Sequence, residues 1–239
     1  MVYFGENMSP VGLRIYRRLP RANPELVAAL AEIPVANVAD EMSRMFCLDA
    51  AIRPWNAAPM KGVAFTVRAR PGCNLLLHKA LDMAEPGDVI LVEDGGDLTT
   101  ALSGENMVLW AQKRGLAGLV VDGAMRDRAS IAEMDFPVYA RGVTPRGPHR
   151  NGPGEINVPI SCGGVVVNPG DIVLGDQDGV LIIPQKEAPE ILQRARGKLD
   201  KELKTRAAID AGNWDRSAYS DEALEKLGFT FFDTSYEER

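Results

Sequence analysis

The stretch from Gly87 to Asp127, GDVILVEDGGDLTTALSGENMVLWAQKRGLAGLVVDGAMRD, constrains the fold more than any other part of the chain. Asp88 to Glu93 is a short apolar run suited to a buried strand. Gly95, Gly96 and Gly104 punctuate the loop after it. Glu105 to Arg114 carries Met107, Val108 and Ala111 at helical spacing, with Leu109 and Trp110 one step off, and Gly115 supplies a C-cap. Gly118 to Val121 reads as a second buried strand, which Asp122-Gly123 is expected to end. A strand–helix–strand unit of this kind gathers strand ends and helix N-termini on one edge of a sheet, where ligands bind.

That edge would carry specific chemistry. The helix start at Gly104, Glu105, Asn106 and Met107 offers backbone N–H groups and a positive dipole end to a carboxylate or phosphate. Arg126 adds a planar bidentate donor and Asp127 a hard oxygen ligand for a cation. A plainer reading stands beside this one: an Arg-Asp pair after a strand is often a solvated turn, and a glycine-rich loop is often only a tight connection.

An acidic residue, twenty intervening positions and then Arg-Asp is the pattern made by Glu105, Arg126 and Asp127. It resembles the signature of the RraA-like family, which includes class II pyruvate aldolases acting on 4-hydroxy-4-methyl-2-oxoglutarate and 4-carboxy-4-hydroxy-2-oxoadipate. The similarity extends through His78-Lys79-Ala80-Leu81, Pro86-Gly87-Asp88-Val89, Val121-Asp122-Gly123, Phe136 to Gly142, Asn168-Pro169-Gly170-Asp171, Gly175 to Val180 and Ile183-Pro184. It covers about Pro34 to Glu202 and does not reach the tail. The resemblance implies a three-layer swivelling β/β/α domain, assembled as trimers or stacked trimers. It also implies an Mg²⁺- or Mn²⁺-dependent lyase that releases pyruvate from a 4-hydroxy-2-oxo acid and can decarboxylate oxaloacetate. In that scheme Asp127 holds the metal, Glu105 orients its waters, and Arg126 donates to the keto oxygen. The amides of Asn106 and Met107 bind the carboxylate, and a glutamate from an adjacent subunit approaches the substrate hydroxyl. Glu202 is the candidate for that last role; its plainer reading is a solvated helix carboxylate. The chain departs from the family pattern in carrying Glu105 where some members have the shorter Asp, which leaves substrate choice open.

Two readings from other classes stay open. One is a protein-binding regulator that masks an RNA-degrading endonuclease, as the RraA regulators do. The other is a metabolite-binding oligomer without chemistry.

The chain has 239 residues, 46% of them hydrophobic, enough for one large domain. Its net charge of −6 offers no general attraction to nucleic acid. Cys47, Cys73 and Cys162 are too few and too spread for a disulfide scaffold, and suggest a reducing cytoplasm. With only His78 and His149 present, a His-rich metal site is impossible. A lone helical His78 reads as a packing or capping residue. No secretory signal and no membrane span are expected from the apolar pattern. The loop after Asp94 reads GGDLTT, which is neither a P-loop nor a dinucleotide fingerprint. Lys61 and Lys79 remain as Schiff-base candidates.

The rest of the chain divides into an arm and helix over 1–33, the β/β/α domain over 34–211, and an aromatic tail over 212–239. The arm reads as irregular with a short helix before Pro20, packed on its own chain or reaching a neighbour. Helices are expected at Pro24 to Ile33 and Val35 to Met45, where Asp40 either approaches the site or is solvated. Lys61 to Arg70 reads as a strand with Val63, Phe65 and Val67 on one face and Thr66, Arg68 and Arg70 on a polar face. Asn74 to Ala84 and Ser130 to Met134 read as helices, and Phe136 to Ala140 as a strand. Arg141 to Pro159 holds Arg141, Arg146, His149 and Arg150 among glycines and prolines. It reads as a lid or a substrate-side loop, or equally as a subunit contact. Short strands then follow to Ile183, with Asp176 and Asp178 as turn residues. Gln185 to Ala211 forms one long helix with Ile191, Leu192, Ala195, Leu199 and Leu203 on a stripe. Trp214, Tyr219, Phe229, Phe231, Phe232 and Tyr236 suit an oligomer contact.

Overall fold

The computed structural model describes residues 10–238. In chain order the elements are α1 (Pro24–Leu30), α2 (Val35–Asp40), β1 (Arg53–Pro54), β2 (Met60–Ala69), α3 (Leu75–Met83), β3 (Asp88–Glu93), α4 (Glu105–Lys113), β4 (Gly118–Met125), α5 (Arg128–Ala132), β5 (Val138–Val143), β6 (Gly154–Ile156), β7 (Ile160–Cys162), β8 (Val165–Val167), β9 (Ile172–Asp176), β10 (Gly179–Ile183), α6 (Ala188–Asp210) and α7 (Asp221–Glu225). The described residues pack as two units, divided inside α6 between Arg196 and Gly197.

In the first unit the strands run β1-β5-β4-β3-β2-β9-β10 across one sheet. β2, β3, β4 and β5 are parallel neighbours joined through helices, and β9 and β6 both pair antiparallel with β2, at its start and at its end. Successive strand residues point to opposite faces, and this alternation sorts the core into two layers. Phe65, Val67, Ile90, Val92, Leu119, Val121 and Val138 face α3 and α4. Met60, Ala64, Val89, Leu91, Val120 and Tyr139 face the β7–β8 hairpin, meeting Ile160, Cys162, Val165 and Val167. The result is the three-layer β/β/α arrangement, with both faces of the central sheet covered.

Several local expectations change. β4 continues through Asp122-Gly123 to Met125, because its edge is paired on both sides. Thr66 is not on a polar face: it is buried and its hydroxyl donates to the Val158 carbonyl at 2.7 Å. Residues 10–21 hold no helix, and the expected Met1–Ser9 part of the arm lies outside the described residues. The described arm is stitched to its own sheet. Tyr16 N–H donates to Ile156 O, Arg14 pairs with the buried Glu155, and Arg21 Nη2 reaches Asp88 at 2.9 Å. Asp40, on α2, accepts from Arg44 at 3.1 Å.

In the second unit the later turns of α6 bury no side chain, and Leu203 is exposed. Ser220 caps α7, accepting from Ala223 N–H. The Arg216 guanidinium lies over the rings of Trp214 and Tyr219, 4.4 and 4.5 Å from their centroids. Trp214, Tyr219, Phe229, Phe231, Phe232 and Tyr236 are all exposed.

Candidate active site

The site is built by a loop that zips onto the end of β4. Residues 101–103 run beside 124–126: Leu102 N–H donates to Ala124 O at 2.9 Å and Arg126 N–H donates to Ser103 O at 3.0 Å. This pairing carries Gly104 directly against Arg126 and Asp127. A Cβ at Gly104 would sit 2.4 Å from Asp127 Oδ2 and 3.0 Å from Arg126 Cγ. The backbone there is ordinary extended chain, so glycine is required by the close approach and not by its torsions. One residue later α4 begins, and Glu105 N–H donates to Asp127 Oδ2 at 3.0 Å. Asp127 thus closes the first turn of α4 from another element. It is itself held in the left-handed region, φ 61° and ψ 36°, where the chain turns from β4 into α5. Asp tolerates that region better than most residues, at a cost of about 1–2 kcal/mol. Arg126 Nε lies 3.6 Å from Asp127 Oδ2.

These groups border a cleft of about 200 Å³. The start of α3 contributes Asn74 and His78, the loop and the α4 start contribute Ser103, Gly104, Asn106 and Met107, and the turn after β4 contributes Arg126 and Asp127. Pro148 and Arg150 close it from the loop after β5. That loop is pinned: Ala101 N–H donates to Arg146 O, His149 N–H to Gly72 O, and Asn74 N–H to His149 O. Burial and the neighbouring Arg150 push the His78 imidazole below its ordinary pKa, against a smaller opposing pull from Asp82.

The sequence-derived candidates are placed as follows. Gly104, Asn106, Met107, Arg126 and Asp127 meet at the cleft. The Met107 amide donates to the Gly104 carbonyl at 3.1 Å, so the helix turn itself engages it. Glu105 starts α4 and reaches the site through its amide, while its side chain is not among those lining the cleft. Glu202 belongs to the second unit, on α6, and accepts from Arg206 at 2.6 Å. Arg141 is in β5, tied to Asp122 at 2.6 Å and Asp49 at 2.8 Å. Lys61 and Lys79 do not line the cleft.

Asn74 and Ser103 are lining residues that sequence reading passed over, and His78, expected as a packing or capping residue, lines the cleft as well. Asn74 precedes α3 at its N-cap position but makes no cap; its amide turns to the Leu102 carbonyl instead. In the sequence Asn74 opens the expected helix, and nothing local marks its amide for the cleft.

A cation would find one hard carboxylate here, Asp127. Among the described residues no three His, Cys, Asp or Glu side chains converge as a metal cage. That donor set suits a hydrated, oxygen-preferring ion such as Mg²⁺ or Mn²⁺, which keeps several waters, and does not suit a zinc centre.

The sheet, its hairpin cover and the Arg-Asp edge define a class. The RraA-like family model, described as Aldolase/RraA, matches residues 35–182, and the chain belongs to that family. A Halalkalibacterium halodurans protein provisionally named 4-hydroxy-4-methyl-2-oxoglutarate aldolase is 39% identical over 194 residues, spanning 80% of this chain and 92% of the relative. A Thermus thermophilus 4-hydroxy-4-methyl-2-oxoglutarate aldolase is 40% identical over 112 residues, 47% of this chain and 68% of its own length. Among solved structures, a Streptomyces coelicolor protein described as an unusual member of the RNase ES inhibitor RraA family aligns with a TM-score of 0.72 at 28% identity. The match covers 79% of this chain and 99% of that one. Among the described residues no helix is long and apolar enough to cross a membrane.

Proposed function

We propose that this protein is a divalent-metal-dependent lyase that cleaves a 4-hydroxy-2-oxo acid to pyruvate, with oxaloacetate decarboxylation as a side activity. The observation that carries the reading is the contact of Gly104 with Arg126 and Asp127 at the mouth of the α4 N-terminus. The aldolase names of the Halalkalibacterium and Thermus relatives support it.

Asp127 would hold the Mg²⁺ or Mn²⁺, which supplies positive charge to polarise the 2-oxo acid. The Asn106 amide and the α4 dipole favour the substrate carboxylate. Arg126 donates to the keto oxygen as it gains charge. The hydroxyl at C4 gives its proton to water in the cleft, the C3–C4 bond breaks, and its electrons move to the keto oxygen, leaving pyruvate enolate, a carbonyl fragment and one proton held by water for return to C3. Protonation at C3 completes pyruvate. A preorganised donor aimed at developing charge contributes ~10²–10³ in rate. Glu105 at the rim is the proposed water-orienting carboxylate. Glu202 from a neighbouring copy in a trimer, or in a hexamer of stacked trimers, is the proposed partner of the hydroxyl. The exposed aromatics of the second unit supply apolar surface for such an assembly.

The test is coupled pyruvate detection with Mg²⁺ or Mn²⁺, with and without chelator. Undiminished turnover after complete chelation refutes the metal dependence. The likeness to the Streptomyces protein favours a second reading, a protein-binding regulator of an RNA-degrading endonuclease. Pull-down with such an endonuclease, together with absent turnover, would establish that reading instead.

A further inference from the structure

Two buried polar atoms on the cleft wall have no partner in the protein. Asn74 is 2% exposed and Ser103 3% exposed, both line the cleft, and Asn74 Oδ1 and Ser103 Oγ accept and donate nothing within the fold. The orientation of the Asn74 amide is set by its surroundings. Its Nδ2 donates to the Leu102 carbonyl at 3.0 Å and lies 3.4 Å from His78 Nε2. Exchanging N and O would set two acceptor oxygens against each other at Leu102. Both residues belong to the lining of the same cleft, Asn74 from the start of α3 and Ser103 from the loop before α4.

Buried polar groups are almost always hydrogen-bonded, and the exceptions ask for an explanation. Here the cleft supplies one. Asn74 Oδ1 is an acceptor only, so its partner must bring an O–H or N–H. Carboxylates and keto groups bring neither. On a 4-hydroxy-2-oxo acid the sole donor is the hydroxyl. Ser103 Oγ both donates and accepts, so it can donate to that hydroxyl's oxygen.

We propose that Asn74 and Ser103 form a hydroxyl-reading pair, which selects 4-hydroxy-2-oxo acids over their deoxy counterparts. The proposal deepens the lyase reading and rests on it. His78 acts through Asn74 as a positioning residue: a neutral ring presents Nε2 as acceptor for the second amide N–H. The lowered pKa of His78 is consistent with that state. Asn74 orients the hydroxyl and is not assigned to remove its proton. A site that hydrogen-bonds a substrate hydroxyl discriminates strongly against the analogue lacking it, since its own polar groups are then left unpaired.

The experiment compares kcat/KM for 4-hydroxy-2-oxoglutarate with the competitive inhibition constant of 2-oxoglutarate, in wild type, Ser103→Ala and Asn74→Ala. Ser103→Ala removes an atom with no partner in the fold, so folding is preserved even if Asn74→Ala is unstable. Ser103→Ala is expected to lose about three- to tenfold in kcat/KM, the worth of one neutral hydrogen bond, and Asn74→Ala about ten- to hundredfold. The 2-oxoglutarate inhibition constant should move by less than about twofold under the same reasoning. An equal fall for both acids, or no fall for the hydroxylated one, overturns the pair. If wild type releases no pyruvate, the lyase reading fails separately. Calorimetric affinities of wild type for the two acids then decide the pair: preference for the hydroxylated acid supports it and equal affinities overturn it.

Discussion

Replacing Gly104 with Ala should damage the site while leaving the fold intact. The added Cβ would lie 2.4 Å from Asp127 Oδ2, and ordinary contact begins at 3.4 Å, so the carboxylate must retreat by about 1 Å (3.4 − 2.4). The backbone torsions at 104 accept any residue, so the whole effect comes from that collision. A retreat of this size takes Oδ2 beyond hydrogen-bonding range of Glu105 N–H, now 3.0 Å away. A charge-assisted bond of this kind is worth ~1.5–3 kcal/mol, and the half-exposed position of Asp127 puts the loss near the lower end. The melting temperature should fall by about 2–6 °C, at roughly 2–4 °C per kcal/mol for a chain of this size. Activity should fall further, because a 1 Å misplacement near reacting groups costs ~10²-fold. The assay is pyruvate release across a Mn²⁺ titration, read beside a thermal melt. Gly147→Ala is the control: its Cβ would lie 3.6 Å from Arg126 Nη1, an ordinary contact. Gly104→Ala with wild-type kcat and unchanged Mn²⁺ dependence would refute the claim that this contact sets the position of Asp127.

Three further outcomes are expected. Asp127→Asn should lose divalent-metal affinity, whereas Arg126→Lys should keep the metal and lose most of kcat, since a lysine cannot reproduce the planar fork; wild-type turnover by Arg126→Lys would end that assignment. Burial, joined by Asp97 and Asp122, raises the Asp94 carboxyl to about 7 against the Gly72 N–H bond that lowers it. The folded state therefore holds this proton where the unfolded chain has lost it, so the stability it contributes is full below about pH 3.8 and is lost as pH rises through about 7. Asp94→Asn should accordingly gain in melting temperature relative to wild type at pH 8 compared with pH 5, and parallel pH profiles would show that Asp94 does not titrate there. Mixing inactive Asp127→Asn with inactive Glu202→Gln should restore part of the activity through hybrid sites, and a fully active monomer by light scattering would rule the shared site out.

The scaffold is legible in local signals along the chain. Apolar runs of strand length, an amphipathic segment from Glu105 and breakers such as Gly115 place β3, α4 and the start of β4 within a residue or two, because those signals act over a few neighbouring residues. Arg126 and Asp127 were also legible, as chemistry-bearing residues at a strand end. The tertiary structure decided what depends on groups distant in the chain. β1 and β6 are two and three residues long and form only through pairing with β5 and β2, so no local pattern announces them. Thr66 alternates like a solvent-facing residue but is buried, because the chain at Val158 covers that face and accepts its hydroxyl proton. Asn74 stands at the start of an expected helix and Ser103 in a glycine-punctuated loop, and neither has a visible role until the Leu102 carbonyl turns one amide and the cleft takes in both residues. Periodicity reports which face of an element is apolar. Which polar atoms go unmet, and which glycine has no room for a Cβ, are properties of the packed neighbours, and those are chosen only when the strands and loops close on one another.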